Sequence, residues 1–366
     1  MNRCPICAME YEPNTIEQCS NCGFDVNWKV KREQERIKQD QQEIADMTKI
    51  IERQNQDEST LVSAYKFRIR AYRNLQQYHE VIADYSKIIE ITNNIFHRLD
   101  RIHFCEKVGR YEEAIADYTM IIENLSPKSK IRNYYSYFYD RACNYEKLGR
   151  YDEAIADYSQ VIKIESKYAP AHNRRGVVYY KLGEYQEAIN NYINATEIYP
   201  QYAPAYFNRG CAYDKMIKYH EAIANYTKAI EIKPQYVEAY AHRGIALLVI
   251  GKSQDAIADL TTAIELHPDY TTAYYHRACA YKFLEEYQSA IADLEYAINI
   301  HPQYGMAHNT LGHIYQKLSK YDEAMKCYDK AIEIDPLCRG YLLSKTILCD
   351  IILKDNQEVL DLLDDL

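Results

Sequence analysis

The chain is poor in turn formers: 366 residues carry only 11 Gly and 10 Pro, against 38 Tyr. That excludes a sandwich or barrel of many short strands, which needs a turn every few residues. It has no excess of positive charge. The formal balance is -9 at pH 7, so no broad electrostatic attraction to nucleic acid or to an anionic membrane is expected. It also lacks any run of about 18 apolar residues, so no membrane span is expected. Met1 is followed almost at once by Cys4 and Cys7, which leaves no room for a signal peptide and points to the cytoplasm. What is present is enough apolar surface for real cores, 47% hydrophobic residues beside 27% charged, in a chain too long for one ordinary domain of about 150 residues.

The organisation is repetitive. YHEVIADY at 78 to 85 recurs as YEEAIADY from 111, YDEAIADY from 151, YQEAINNY from 185, YHEAIANY from 219, SQDAIADL from 253, YQSAIADL from 287 and YDEAMKCY from 321. The steps are 33, then 40, then 34 throughout. Pro200, Pro234, Pro268, Pro302 and Pro336 keep the step of 34, and Gly109, Gly149, Gly183 and Gly251 each precede the motif by two residues. Each unit reads as two amphipathic helices. In one of them, His172, Gly176 and Tyr179 share one face, Gly183 breaks the helix, and Tyr185, Ala188, Tyr192 and Ala195 form the face of a second helix that Pro200 stops. Small residues let the two axes close up, and one pair alone cannot bury that face.

These features resemble the tetratricopeptide repeat. The resemblance implies an all-α fold, a right-handed superhelical solenoid of eight helix-turn-helix repeats over 62 to 338, with the first helix of each repeat on the concave side. About six extra residues around Ser126 to Asn133, and Asn93 and Ser166 in place of the closing Pro, mark less regular units. Residues 339 to 366 read as a final helix, Tyr341 to Leu353, with a short acidic turn of helix after it, the polar end that a solenoid needs.

Residues 1 to 27 contain CPIC, eleven residues, then CSNC. Two such pairs suit tetrahedral structural zinc on Cys4, Cys7, Cys19 and Cys22, and four thiolates leave no open position for catalysis. This part resembles a zinc ribbon, with Ala8 where a Gly is usual; a redox CxxC is the alternative. Residues 28 to 58 hold a helical spacer. Val30, Ile37, Ile44 and Ile51 repeat every seven residues, but Gln34, Gln41 and Thr48 occupy the partner positions, so a coiled-coil seam is half built. The stripe docks on the first repeat or forms a weak homodimer through 28 to 57. The basic cluster from Lys29 to Lys38 is interleaved with Glu33, Glu35 and Asp40, which cancels much of its field.

Along the repeats, Arg68, Arg101, Arg141, Arg175, Arg209, Arg243 and Arg277 stand ten residues before each motif, and Leu311 breaks the row. A second row, Asp84, Asp117, Asp157, Asn191, Asn225, Asp259 and Asp293, breaks at Cys327 in the same unit. Paired loss points to mutual satisfaction between helices, since a half-buried guanidinium needs an acceptor. Cys143, Cys211 and Cys279 lie in alternate units, too far apart for a disulfide or a shared metal. No phosphate loop, nucleophile elbow or paired-carboxylate motif is present.

The concave register that the resemblance implies gives Tyr139, Val177, Tyr180, Phe207, Ile245, Leu248, Tyr275 and Phe283 as candidate partner contacts, because helix pairing uses another face. Lys147 and Lys181 stand two residues before a helix-ending Gly and complement the helix dipole. The expected function is a non-enzymatic scaffold that holds a peptide or protein segment. The rival is a nucleic-acid-associated or transcription-related regulator in which the ribbon makes contact with nucleic acid and the repeats sense a partner.

Overall fold

The computed structural model describes residues 2–3, 10–11, 28–53, 56–125 and 134–364, with side chains from 31 to 354. Cys4, Cys7, Cys19 and Cys22, and the inserted residues 126–133, lie outside the described residues. Among the described residues there are eighteen helices and one antiparallel pair of two-residue strands, β1 (Asn2–Arg3) and β2 (Glu10–Tyr11), with Asn2 opposite Tyr11 and Arg3 opposite Glu10.

The chain divides into two compact units, 1–165 and 166–366. The first holds α1 (Trp28–Ile51), α2 (Glu58–Asn74), α3 (Tyr78–Thr92), α4 (Ile95–Lys107), α5 (Tyr111–Asn124), α6 (Tyr134–Lys147) and α7 (Tyr151–Ile164). The second holds α8 (Ala169–Lys181), α9 (Tyr185–Ile198), α10 (Ala203–Lys215), α11 (Tyr219–Ile232), α12 (Val237–Val249), α13 (Ser253–Leu266), α14 (Thr271–Phe283), α15 (Tyr287–Ile300), α16 (Gly305–Lys317), α17 (Tyr321–Ile334) and α18 (Arg339–Asp364). Within each unit every helix packs on the next, and in the second unit α10 also touches α8 and α12 touches α10, with α14, α16 and α18 continuing the row. The first helices of successive repeats therefore lie side by side. No helix among the described residues is long and apolar enough to cross a membrane.

The pairs close because their contact residues are small. Ala188, Ala195, Ala205, Ala222, Ala229 and Ala239 are fully or almost fully buried, and Tyr192 and Tyr226 fill the space beside them. Gly210 shows how close the approach is, since a methyl group there would stand 2.5 Å from the Tyr226 ring. The turn between the two helices of each repeat uses one left-handed residue, Gly at 109, 149, 183 and 251. Ile217 takes the same conformation at φ 61, a strained position for a β-branched side chain.

The arginine row is a ladder of inter-helix bonds. Arg243 donates from Nε to Asp259 Oδ2 at 2.7 Å and from Nη2 to Oδ1 at 2.7 Å. Arg68–Asp84, Arg101–Asp117, Arg141–Asp157 and Arg277–Asp293 repeat this bidentate fork. The remaining nitrogen reaches a hydroxyl on the preceding helix, as in Arg101 to Ser86 at 2.8 Å, Arg243 to Thr227 at 3.0 Å and Arg277 to Thr261 at 3.0 Å. Arg175 and Arg209 donate instead to the neutral Asn191 and Asn225. The hydrogen bond that Arg243 donates to Asp259 keeps it above the ordinary guanidinium range. Burial lowers Arg175 and Arg209, which have an amide where the others have a carboxylate.

Both ends of the ladder are closed from within the chain. The long helix α1 packs against α2, where Thr48 accepts from Arg68 at 2.9 Å, Asp40 from Asn74 at 3.0 Å and Glu43 from Arg70 at 2.8 Å. Ile37, Ile44 and Ile51 of the seven-residue stripe are half-buried within one chain. At the other end, α18 runs as one helix to Asp364 rather than stopping near Leu353. Lys345 takes the arginine's place and pairs backwards with Asp329 at 2.6 Å.

Removing one partner of such a pair strands the other. Arg243→Ala leaves Asp259 buried without its fork and is expected to lower stability by about 1–3 kcal/mol. Urea unfolding followed by circular dichroism checks this, and an unchanged midpoint would count against the pair as a structural element.

Candidate partner-binding groove

The face made by the first helices of the second unit carries two clefts. One, of about 280 Å³, is lined by Tyr180 of α8, Cys211, Asp214 and Lys215 of α10, Tyr219 of α11, and His242, Ile245, Ala246 and Val249 of α12. The other, of about 450 Å³, lies between Lys282, Phe283 and Glu285 at the end of α14, Tyr287 of α15, and His313, Gln316 and Lys317 of α16. Successive turns of each first helix bring these side chains to one side, because residues four apart on a helix share a face.

The candidate contacts separate into two groups. Tyr180 and Ile245 meet at the first cleft and Phe283 stands at the second. Tyr180 also packs on the cluster of Ala188, Ile189 and Tyr192, with its ring 5.5 Å from that of Tyr185, and the others are likewise tied into the fold. Tyr139 lies edge-on to Tyr158, with ring centroids 5.5 Å apart. Val177 packs on the cluster of Ala188, Ile189 and Tyr192, and Leu248 on that of Leu247 and Leu260. Phe207 is caged by Tyr236, His242 and Tyr226 at 5.0, 5.3 and 5.7 Å between centroids. Tyr275 packs on the cluster of Leu294 and Leu311 and faces Tyr304. The expectation that Phe207 and Tyr275 lie outside the packing is therefore corrected: a large ring at the fifth position of a first helix also reaches the next repeat and is held there.

A second ladder explains which groove residues the fold consumes. The phenol of a second-helix tyrosine donates to the residue twelve positions earlier: Tyr118 to Glu106, Tyr158 to Glu146 at 2.5 Å, Tyr226 to Asp214, and Tyr328 to Gln316 at 2.7 Å. Where the tyrosine becomes Leu260, its partner position is Leu248, and the two pack together. Asp214, whose Oδ2 accepts the hydrogen bond from the Tyr226 hydroxyl, keeps a buried Oδ1 with no partner in the described structure, and burial raises its pKa. In the first unit Glu106 also accepts from Asn144 at 2.7 Å. Burial, with the Glu106 charge adding to it, pushes the nearby Asp140 up to about 6.

The histidines of the groove are held neutral. Burial lowers His242, and burial followed by the neighbouring charge of His242 brings His276 down to about 4. His313 is also lowered by burial, and its ring bridges Tyr328 at 3.0 Å and Ser344 at 3.2 Å. Among the described residues no cluster of three His, Cys, Asp or Glu is placed to hold a metal.

Helix pairs stacked with their first helices side by side define a helical-repeat protein. Models of the tetratricopeptide repeat match residues 167–235, 207–271, 242–304 and 306–337, and a TPR repeat model matches 144–183. More than half of the chain lies within these matches, and the chain belongs to the tetratricopeptide-repeat family. Among solved structures it is similar to a tetratricopeptide repeat protein from Parabacteroides merdae, 18% identical, over 70% of this chain and 98% of that one, with a TM-score of 0.53. It is similar also to a chain of the APC/C hetero-tetramer Cut9-Hcn1, 15% identical, over 78% of this chain and 55% of that one, with a TM-score of 0.51. YrrB, described as a TPR protein with an unusual peptide-binding site, is 21% identical over 52% of this chain and 97% of its own, with a TM-score of 0.46. No curated protein sequence matches the chain.

The histidines make stability depend on pH. An unfolded histidine titrates near 6.5, whereas folded His276 titrates near 4, so between these values the unfolded chain binds more protons. The contribution is complete above about pH 6.5 and is lost as the pH falls towards 4. The urea midpoint is expected to drop between pH 7.5 and 5, with a smaller drop in His276→Gln. An equal drop in both proteins would assign the effect to other groups.

Proposed function

We propose that the protein is a non-enzymatic interaction scaffold whose second unit holds a peptide or protein segment along its row of first helices. The observation that carries this is the open, partly apolar cleft on that face, where Ile245 and Val249 gather beside Tyr180, and Val249 leaves 55% of its surface in solvent. Apolar side chains left open in a groove gain free energy when a partner covers them. Membership of a family whose repeats serve protein association supports the same reading.

A photo-crosslinking amino acid at position 245 is expected to capture a bound segment in native extract, whereas the same group at Leu266, exposed at the end of a second helix, is not. Tyr180→Ala with Ile245→Ala is expected to weaken that capture by about 2 kcal/mol in total. Adducts at position 266 alone would move the site off the groove.

For the N-terminal segment we propose one structural zinc on Cys4, Cys7, Cys19 and Cys22. The donor set fits, since four thiolates at CxxC spacing satisfy tetrahedral zinc and leave no coordination site for substrate. The pairing of Asn2–Arg3 with Glu10–Tyr11 is consistent with it, because the connection between the two strands contains Cys4 and Cys7. When bound, the metal supplies folding free energy to a segment too short for its own core. Metal analysis of purified protein is expected to give one zinc per chain, and chelation should leave the helical circular dichroism of the repeats in place. Absence of zinc, or a native disulfide between Cys4 and Cys7, would refute this assignment.

A further inference from the structure

Four successive first helices of the second unit end on Lys215, Val249, Phe283 and Lys317. This one position forms the rim of both clefts, with Lys215 beside Val249 in the first and Phe283 beside Lys317 in the second. A lysine at the last residue of a helix complements the negative end of the helix dipole. Val249 gives up that benefit, whereas α14 keeps a cation in its last turn at Lys282; Val249 and Phe283 leave 55% and 68% of their surface in solvent. Phe283 has Lys282 beside its ring at 5.9 Å, so the apolar step is flanked by three cations in a chain whose formal charge is -9. Two carboxylates stand nearby. Asp214 is taken up by the Tyr226 hydroxyl, and Glu285 lies at the edge of the second cleft.

Resting on the groove reading above, we infer that this face selects polypeptide segments in which two apolar side chains are bracketed by acidic ones. Neighbouring first helices lie about 10 Å apart, and an extended segment advances about 3.3 Å per residue. The apolar residues that cover Val249 and Phe283 therefore stand about three positions apart, with Asp or Glu about three positions beyond each to meet Lys215 and Lys317. The apolar pair provides contact area, and the lysines set register and reject basic segments.

Random twelve-residue peptides displayed on phage and selected on the full-length protein test this. The expected result is enrichment of an apolar pair with acidic residues on both sides. Lys215→Glu with Lys317→Glu should weaken the strongest peptide at least tenfold, as should Val249→Ser with Phe283→Ser, with melting curves unchanged because all four side chains are exposed. Peptides that lose binding in the serine variant yet carry neutral or basic flanks, or bind the glutamate variant as well as the original, would overturn the charge inference and leave the groove reading standing. Recovery of no peptide, or of peptides indifferent to both variants, would remove the groove reading with it.

Discussion

A guanidinium taken out of water must find an acceptor, and here that requirement sets the geometry of the repeats. Each bidentate Arg–Asp fork joins the two helices of one repeat, as Arg243 joins α12 to α13 through Asp259. The planar side chain has a further nitrogen, and its direction is fixed by the fork. That nitrogen meets a hydroxyl of the preceding helix, Thr227 in this case. One side chain thus fixes both the closure of a repeat and its register on the one before. Because the register repeats, the ends of the first helices fall into line, and the groove is a consequence of that alignment.

The ladder is not uniform, and its variation follows the chemistry of the partner. Asn191 and Asn225 replace the ion pair by a hydrogen bond from the guanidinium to an uncharged amide, and Leu311 with Cys327 replaces it by apolar contact. The Arg209–Asn225 pair, which lacks a carboxylate, joins α10 and α11, the helices that supply Cys211, Asp214, Lys215 and Tyr219 to the first cleft. The pair without a carboxylate therefore lies directly beneath the first cleft.

Much of this was legible in the sequence. The step of 34 residues and the joint break of the Arg and Asp rows at Leu311 and Cys327 identified both the repeats and their internal bonds. The tyrosine ladder was harder to see. Its acceptor position holds Glu106, Glu146, Asp214 or Gln316, but Arg73 before Tyr85 and Tyr180 before Tyr192, and where the tyrosine is lost Leu248 stands before Leu260 and Lys282 before Leu294. A row so varied does not show as a repeat. Phe207 and Tyr275 were read by helix face alone, which cannot tell a ring that reaches the next repeat from one left open. The stripe of α1 did not show how the helix docks on the first repeat, because its bonds to α2 come from polar positions, as in that of Arg68 to Thr48, which spans 20 residues of sequence.

The direct measurement is nitrogen-15 NMR of the arginine side chains in the full-length protein, assigned by single Arg→Lys substitutions. The Nε protons of Arg68, Arg101, Arg141, Arg243 and Arg277 are predicted to exchange with water far more slowly than that of the exposed Arg32, with Arg209 between them. Exchange of all seven ladder protons at the rate of Arg32 would show that the forks do not persist in solution, and that something other than buried ion pairs holds the repeats in register.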